Sequence, residues 1–69
     1  MRLTVRVVVN GEPVRMRGAT LHELVIALGH GEAKIATAVN GTFVPEGRRA
    51  GHNLTEDDRV EIVSPRQGG

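Results

Sequence analysis

Two alternating stretches that meet at Asn10-Gly11 leave this chain few ways to begin its fold. Over residues 3–9, Leu3, Val5, Val7 and Val9 fall on one side of an extended strand, and Thr4, Arg6 and Val8 fall on the other with Arg2. Asn-Gly supplies the two positive-φ positions of a tight hairpin turn. A two-residue turn pairs Val9 with Glu12, Val7 with Val14 and Val5 with Met16. Apolar residues then meet apolar residues, which supports the register independently of the turn. The same register opposes Arg6 to Arg15, close to Arg2 and Arg17. Like charges so placed repel, so this basic face stays solvated or meets an acidic surface.

The rest of the chain must cover the hairpin's apolar face. Thr20 and Glu23 form the T-x-x-E capping box, with Thr20 as N-cap. Leu21, Leu24, Val25 and Leu28 recur at helical spacing, and Gly29 supplies the stop. So short a helix is marginal in water and needs the sheet to hold it. A third strand is expected over 35–39, ending at Asn40-Gly41. Ala36 and Ala38 fit either face, which leaves its inward side open. Thr42-Phe43-Val44 can pair briefly before Pro45 ends the ladder. Residues 46–53 read as an irregular surface loop, with Leu54 as the apolar anchor after it. Asp57-Asp58 make a turn, and residues 59–63 form the last strand, with Val60 and Ile62 inward. The valine-rich first and last strands are the natural central neighbours. The expected architecture is an α+β roll: one helix across a mixed sheet of four to five strands.

With 69 residues the chain makes one small domain with a thin core and no deep, walled active site. The absence of cysteine removes disulfides, thiolate metal clusters and a thiol nucleophile. A net charge of +1 with interleaved signs argues against a dedicated nucleic-acid binder. No apolar run approaches the roughly 20 residues of a spanning helix, and no secretory leader is evident. A cytoplasmic setting, without membrane or nucleic-acid partners, is expected. His22, His30 and His52 match no metal-ligand spacing and read as surface histidines. Glu56, Asp57 and Asp58 read as turn chemistry rather than a metal site, and Ser64 has no base placed beside it by any motif. Gly29 to Gly31 follow a helix rather than open one, so they make no phosphate cradle. The body carries no catalytic residue, no metal site and no bound cofactor on this reading.

The last six residues differ from the body. Proline ends the last strand and keeps the following segment extended, and Gly68-Gly69 place the least hindered carboxylate available at the end of the sequence. The expectation is a domain over 1–63 and a flexible C-terminal tail over 64–69. Such a carboxylate is a good substrate for ATP activation and can thread a narrow channel in a partner.

In this order the motifs resemble a ubiquitin-like β-grasp sulfur carrier of the ThiS family, which serves thiazole formation in thiamine biosynthesis. The resemblance runs over essentially the whole chain. It is carried by the strand ending in Asn10-Gly11, by Thr20-Leu21-His22-Glu23-Leu24, and by Ala38-Val39-Asn40-Gly41 with Val44-Pro45. Asp58-Arg59-Val60-Glu61-Ile62-Val63 and the closing Gln67-Gly68-Gly69 complete it. Two positions depart from the family's pattern. Asp57-Asp58 stands where relatives usually have Gly-Asp, and Glu46, followed by Arg48 and Arg49, stands where many have arginine after Val-Pro. Asp tolerates left-handed turns, so the fold is expected to survive the first departure.

The resemblance implies a carrier acted on by other proteins rather than an enzyme. An E1-like adenylyltransferase of the ThiF type would use ATP and magnesium to adenylate the Gly69 carboxylate. Sulfur from a cysteine desulfurase would then displace AMP, and the thiocarboxylate would serve a thiazole synthase of the ThiG type. Gly69 is the modified residue, Gly68 allows access, and Pro65, Arg66 and Gln67 line the partner's channel. For docking, Val8 and Val63 point outward and would adjoin if the first and last strands are neighbours. Phe43 fits either an interface or the core. The alternatives are the small subunit of molybdopterin synthase, a ubiquitin-like modifier of protein lysines, and an interaction module with an inert tail.

Overall fold

A computed structural model describes residues 4–17, 20–31 and 34–64. The opening hairpin forms as its pattern requires. β1 (Thr4–Val9) and β2 (Glu12–Arg17) pair antiparallel, with Val5 opposite Met16, Val7 opposite Val14, and Val9 opposite Glu12. Asn10 and Gly11 take φ of 51° and 88°, the positive values of the tight turn. Arg6 does face Arg15, but its guanidinium turns to Asp57 at 2.8 Å, so an acid from the far turn offsets part of the repulsion. Arg2 lies outside the described residues.

Helix α1 (Leu21–Ala27) starts where the capping box places it. The Glu23 amide donates to Thr20 Oγ1 at 3.1 Å, and the Thr20 amide donates to Glu23 Oε1 at 3.0 Å. Leu21, Leu24 and Val25 are buried against the sheet. Leu28 departs from the expected stripe. It is the C-cap, with ψ near 4°, and 38% of it is exposed. The helix has already ended, so the 3.6-residue period no longer turns that side chain inward. Gly29 follows at φ +87°.

Strands β3 (Ala36–Val39) and β4 (Thr42–Val44) form the second hairpin about Asn40-Gly41, and β5 (Arg59–Val63) lies between the two hairpins. The sheet order is β2-β1-β5-β3-β4, with β1 and β5 parallel neighbours as expected. The inward face of β3 is settled by Thr37 and Val39, both buried, while Ala36 and Ala38 face outward. Val60 and Ile62 join Val5, Val7, Val9, Met16 and the helix leucines in one core, anchored by Leu54. Each such aliphatic side chain, when fully buried, contributes about 1.5–3 kcal/mol.

The stretch expected as an irregular surface loop is instead a 3-10 helix over Glu46–Gly51, packed against α1. Its Arg49 is only 6% exposed. The guanidinium donates from Nε to Thr37 Oγ1 at 3.1 Å and from Nη2 to the Ile35 carbonyl at 2.8 Å, and Thr37 in turn donates to the Val44 carbonyl at 2.8 Å. A polar, glycine-bearing composition signals surface. Here one long side chain reverses that reading by tying the segment to the second hairpin. Asp57, at φ +70°, takes a left-handed conformation, so the turn forms with Asp as expected.

Candidate functional site

β5 is the strand from which the C-terminal residues depart, and it is gripped from both sides. On one side it pairs antiparallel with β3 along its length, from Val39 opposite Val60 to Ala36 opposite Val63. On the other side the ladder to β1 covers only Val8 with Arg59 and Val9 with Val60, because β1 turns away at Asn10. The Asn10 side chain then continues the ladder alone. Its Oδ1 accepts from the Ile62 amide at 2.9 Å, and its Nδ2 donates to the Ile62 carbonyl at 3.1 Å.

The other Asn-Gly turn holds the opposite end of the strand. Asn40 Oδ1 accepts from the Arg59 amide at 2.9 Å, and Asn40 Nδ2 donates to Asp58 Oδ1 at 2.9 Å. The Thr55 amide donates to the other Asp58 oxygen at 2.8 Å. Burial works to raise the Asp58 carboxyl, but these bonds from Thr55 and Asn40, with the nearby His52 charge, outweigh it and hold the group below its ordinary value. Sequence reasoning took both asparagines for their backbone tolerance and missed their side chains. The available signal was that asparagine, unlike glycine, brings a carboxamide to the same turn.

The outer face of the sheet, away from α1, carries the remaining candidates. Val63 is 59% exposed and Phe43 is 64% exposed, which answers the open question about Phe43 in favour of the surface. The register explains it: Phe43 lies opposite outward-facing Ala38, while Val44 lies opposite buried Thr37. Val8 is half-buried on the same face. Val8 and Val63 do not adjoin as cross-strand neighbours, because Val8 is in register with Arg59, four residues before Val63. They instead line one open concavity of about 480 Å³ together with Asn10, Gly11, Arg59 and Glu61. A smaller depression of about 190 Å³ joins Val63 to Phe43 across Ala36 and Ala38. The small alanines that left β3 ambiguous in sequence form the floor between the two larger side chains.

Pro65, Arg66, Gln67, Gly68 and Gly69 lie outside the described residues. His22 is exposed and His30 and His52 are half-buried. Among the described residues no three His, Asp or Glu side chains gather to hold a metal, and no helix is long and apolar enough to cross a membrane.

The ThiS family model matches residues 7–69, nearly the entire chain. The chain belongs to the ThiS family of sulfur carriers. Among solved structures it is similar to the thiamine biosynthesis protein ThiS from Geobacter metallireducens. That similarity has a TM-score of 0.77 and 26% identity, and covers 94% of this chain and all of the other. Comparison with curated proteins gave no match. The β-grasp architecture expected from the motifs is therefore the family's own, and the departures at Asp57 and Glu46 leave it intact.

Proposed function

We propose that this ThiS-family chain carries sulfur for thiazole formation in thiamine biosynthesis as a thiocarboxylate on Gly69. The carboxylate oxygen attacks the α-phosphorus of ATP in an E1-like, ThiF-type adenylyltransferase, with magnesium on the phosphates, and pyrophosphate leaves. A carboxylate is a poor electrophile, and the acyl adenylate gives it a good leaving group. The outer sulfur of a partner's persulfide, charged by a cysteine desulfurase, then attacks the carbonyl carbon and AMP departs. A thiol of the partner reduces the resulting acyl disulfide, forming a disulfide on the partner and leaving the thiocarboxylate for a ThiG-type thiazole synthase. The chain has no cysteine, so every persulfide on the route belongs to a partner. ATP and magnesium are likewise used by the partner, and the chain binds no cofactor of its own.

The observation that carries this reading is the family match that continues to Gly69, supported by a ThiS neighbour covered over its full length. The chain's own contribution is presentation. Val8, Val63 and Phe43 form an apolar docking face, while Pro65, Arg66, Gln67 and Gly68 pass through the partner's channel. Exposed apolar residues grouped on one face suit such a role.

Intact-mass measurement tests it. Incubation with a ThiF-type enzyme, ATP, magnesium and a sulfur source is expected to replace one terminal oxygen by sulfur. Deleting Gly69, or appending a residue after it, abolishes that change while leaving the melting transition in place. An unchanged mass with an enzyme shown to be active on another carrier overturns the proposal. Adducts on protein lysines would identify a modifier instead.

A further inference from the structure

The chain contains one tripeptide twice, Val9-Asn10-Gly11 and Val39-Asn40-Gly41, and folds both copies alike. Asn10 and Asn40 share a φ of 51°, and the glycines after them have φ of 88° and 86°. Each asparagine also donates its amide to β5, Asn10 to the Val60 carbonyl at 2.9 Å and Asn40 to the Arg59 carbonyl at 2.7 Å. The two turns differ in what their carboxamides hold. Asn10 bonds both the amide and the carbonyl of Ile62, a residue only 8% exposed, on the side of β5 where the β1 ladder has ended. Asn40 bonds the Arg59 amide and an Asp58 carboxylate oxygen, and both of these bonds are exposed.

We propose that Asn40 is a site of spontaneous deamidation in this chain and that Asn10, with the same neighbours in sequence, is shielded by Ile62. An Asn-Gly bond is prone to this reaction because glycine has no side chain to hinder approach to its own nitrogen. The Gly41 amide, its proton lost to solvent base, attacks Asn40 Cγ. The new C–N bond closes a succinimide ring, the Cγ–Nδ2 bond breaks, and Nδ2 leaves as ammonia with a proton from water. Water then adds to either ring carbonyl and opens the ring to aspartate or isoaspartate. No oxidant, reductant or cofactor takes part. The carboxamide must first leave its partners, so the folded chain reacts only as often as each turn opens. When Asn40 lets go, water replaces it on the Arg59 amide and on Asp58, which keeps its bond from Thr55. When Asn10 lets go, a buried amide and carbonyl lose their partner together, and unmade buried bonds cost more than exposed ones. The charge of Asp58 strengthens the bond from Asn40, but solvent competes for an exposed carboxylate and leaves the order unchanged. The aspartyl product sets a carboxylate against that of Asp58 in place of the Asn40 donor, and the isoaspartyl form adds a methylene to the turn backbone. Each weakens the tie between the second hairpin and the start of β5.

Ageing of the full chain at neutral pH, in buffer and in concentrated urea, tests this. Trypsin places the two sites on separate peptides, 7–15 and 35–48, and mass spectrometry follows the loss of each asparagine. The protection of a site is its rate in urea divided by its rate in buffer. Protection at Asn10 is expected to exceed that at Asn40 by about tenfold, the scale set by one unsatisfied buried group. Asp58→Ala removes the acceptor for Asn40 Nδ2 and is expected to lower protection at Asn40 relative to Asn10. Equal protection at the two sites, or greater protection at Asn40, overturns the proposal. So does a native chain whose Asn40 stays intact while the urea sample reacts, or one that reacts at both sites as fast as in urea. If Asp58→Ala lowers both protections by the same factor, global unfolding rather than local partners controls the reaction, and the proposal fails. A variant without a urea transition has not folded, and the native comparison then decides alone.

Discussion

On the inner face of the sheet, Val5, Val7, Val9, Val60 and Ile62 lie beneath α1 and the 3-10 helix; on the outer face, Val8, Val63 and Phe43 are covered by no described element. Both faces arise from the same two-residue alternation, so secondary structure alone does not explain why one is closed and the other open. The inner face is finished with many devices: a capping box, two helical segments, and a buried arginine that ties the 3-10 helix to β3. The outer face has charged neighbours at Arg59 and Glu61, and its largest side chain is mostly in water. Apolar groups kept in solvent contribute little to folding, and their grouping on one face is what the proposed docking role requires. The buried core and the proposed docking residues therefore lie on opposite sides of one sheet.

A matched pair of truncations tests that separation most severely. Leu24→Ala, on the buried side of α1, is expected to cost about 2–5 kcal/mol by urea denaturation, enough to leave so small a domain largely unfolded. Phe43→Ala, on the outer face, is expected to change stability by less than about 0.5 kcal/mol, while weakening binding to the adenylyltransferase measured by calorimetry. If Phe43→Ala destabilises the chain as Leu24→Ala does, the outer face belongs to the core and the contrast collapses.

The second test concerns how the inner face is closed. Arg49→Ala leaves the Ile35 carbonyl without its donor and opens space beside Thr37, with an expected cost of about 1–3 kcal/mol. Arg49→Lys should recover little of it, because a compact ammonium cannot reach both oxygens as the planar guanidinium does. Native-like stability in Arg49→Ala would show that the 3-10 helix is held by α1 alone.

Much of this is legible in the sequence. The register of the first hairpin follows from one turn and the two apolar pairs Val7–Val14 and Val5–Met16, and the helix start follows from Thr20 and Glu23, because both are local relations with few alternatives. The neighbouring of β1 and β5 followed from composition, since the most valine-rich strands seek the centre. What stayed hidden depended on partners far along the chain. Arg49 looks like a surface residue until Thr37 and Ile35 are placed beside it. Asn10 looks like a turn residue until Ile62 arrives 52 positions later. The outward pair Val8 and Val63 was right in direction and wrong in adjacency, because alternation fixes a face while only the strand offset fixes distance.

The smallest expected effect lies at the Asp58 turn, where the Asn40 turn meets the start of β5. Asp58 titrates below its ordinary value of 3.8 despite the opposing effect of burial, because Thr55, Asn40 and the His52 charge favour the carboxylate. The folded state thus binds the proton less tightly than the unfolded chain. The stability this confers is complete above 3.8 and is lost as pH falls through the lower folded value. Asp58 is partly exposed, so solvent screening keeps the contribution small. Asp58→Asn removes the ionisation while keeping one acceptor oxygen. Urea midpoints of the native chain and this variant are expected to differ most near neutral pH and to converge below 3.8. A gap that stays constant through that range would mean the turn is held by hydrogen-bond geometry alone, with the charge of Asp58 contributing nothing.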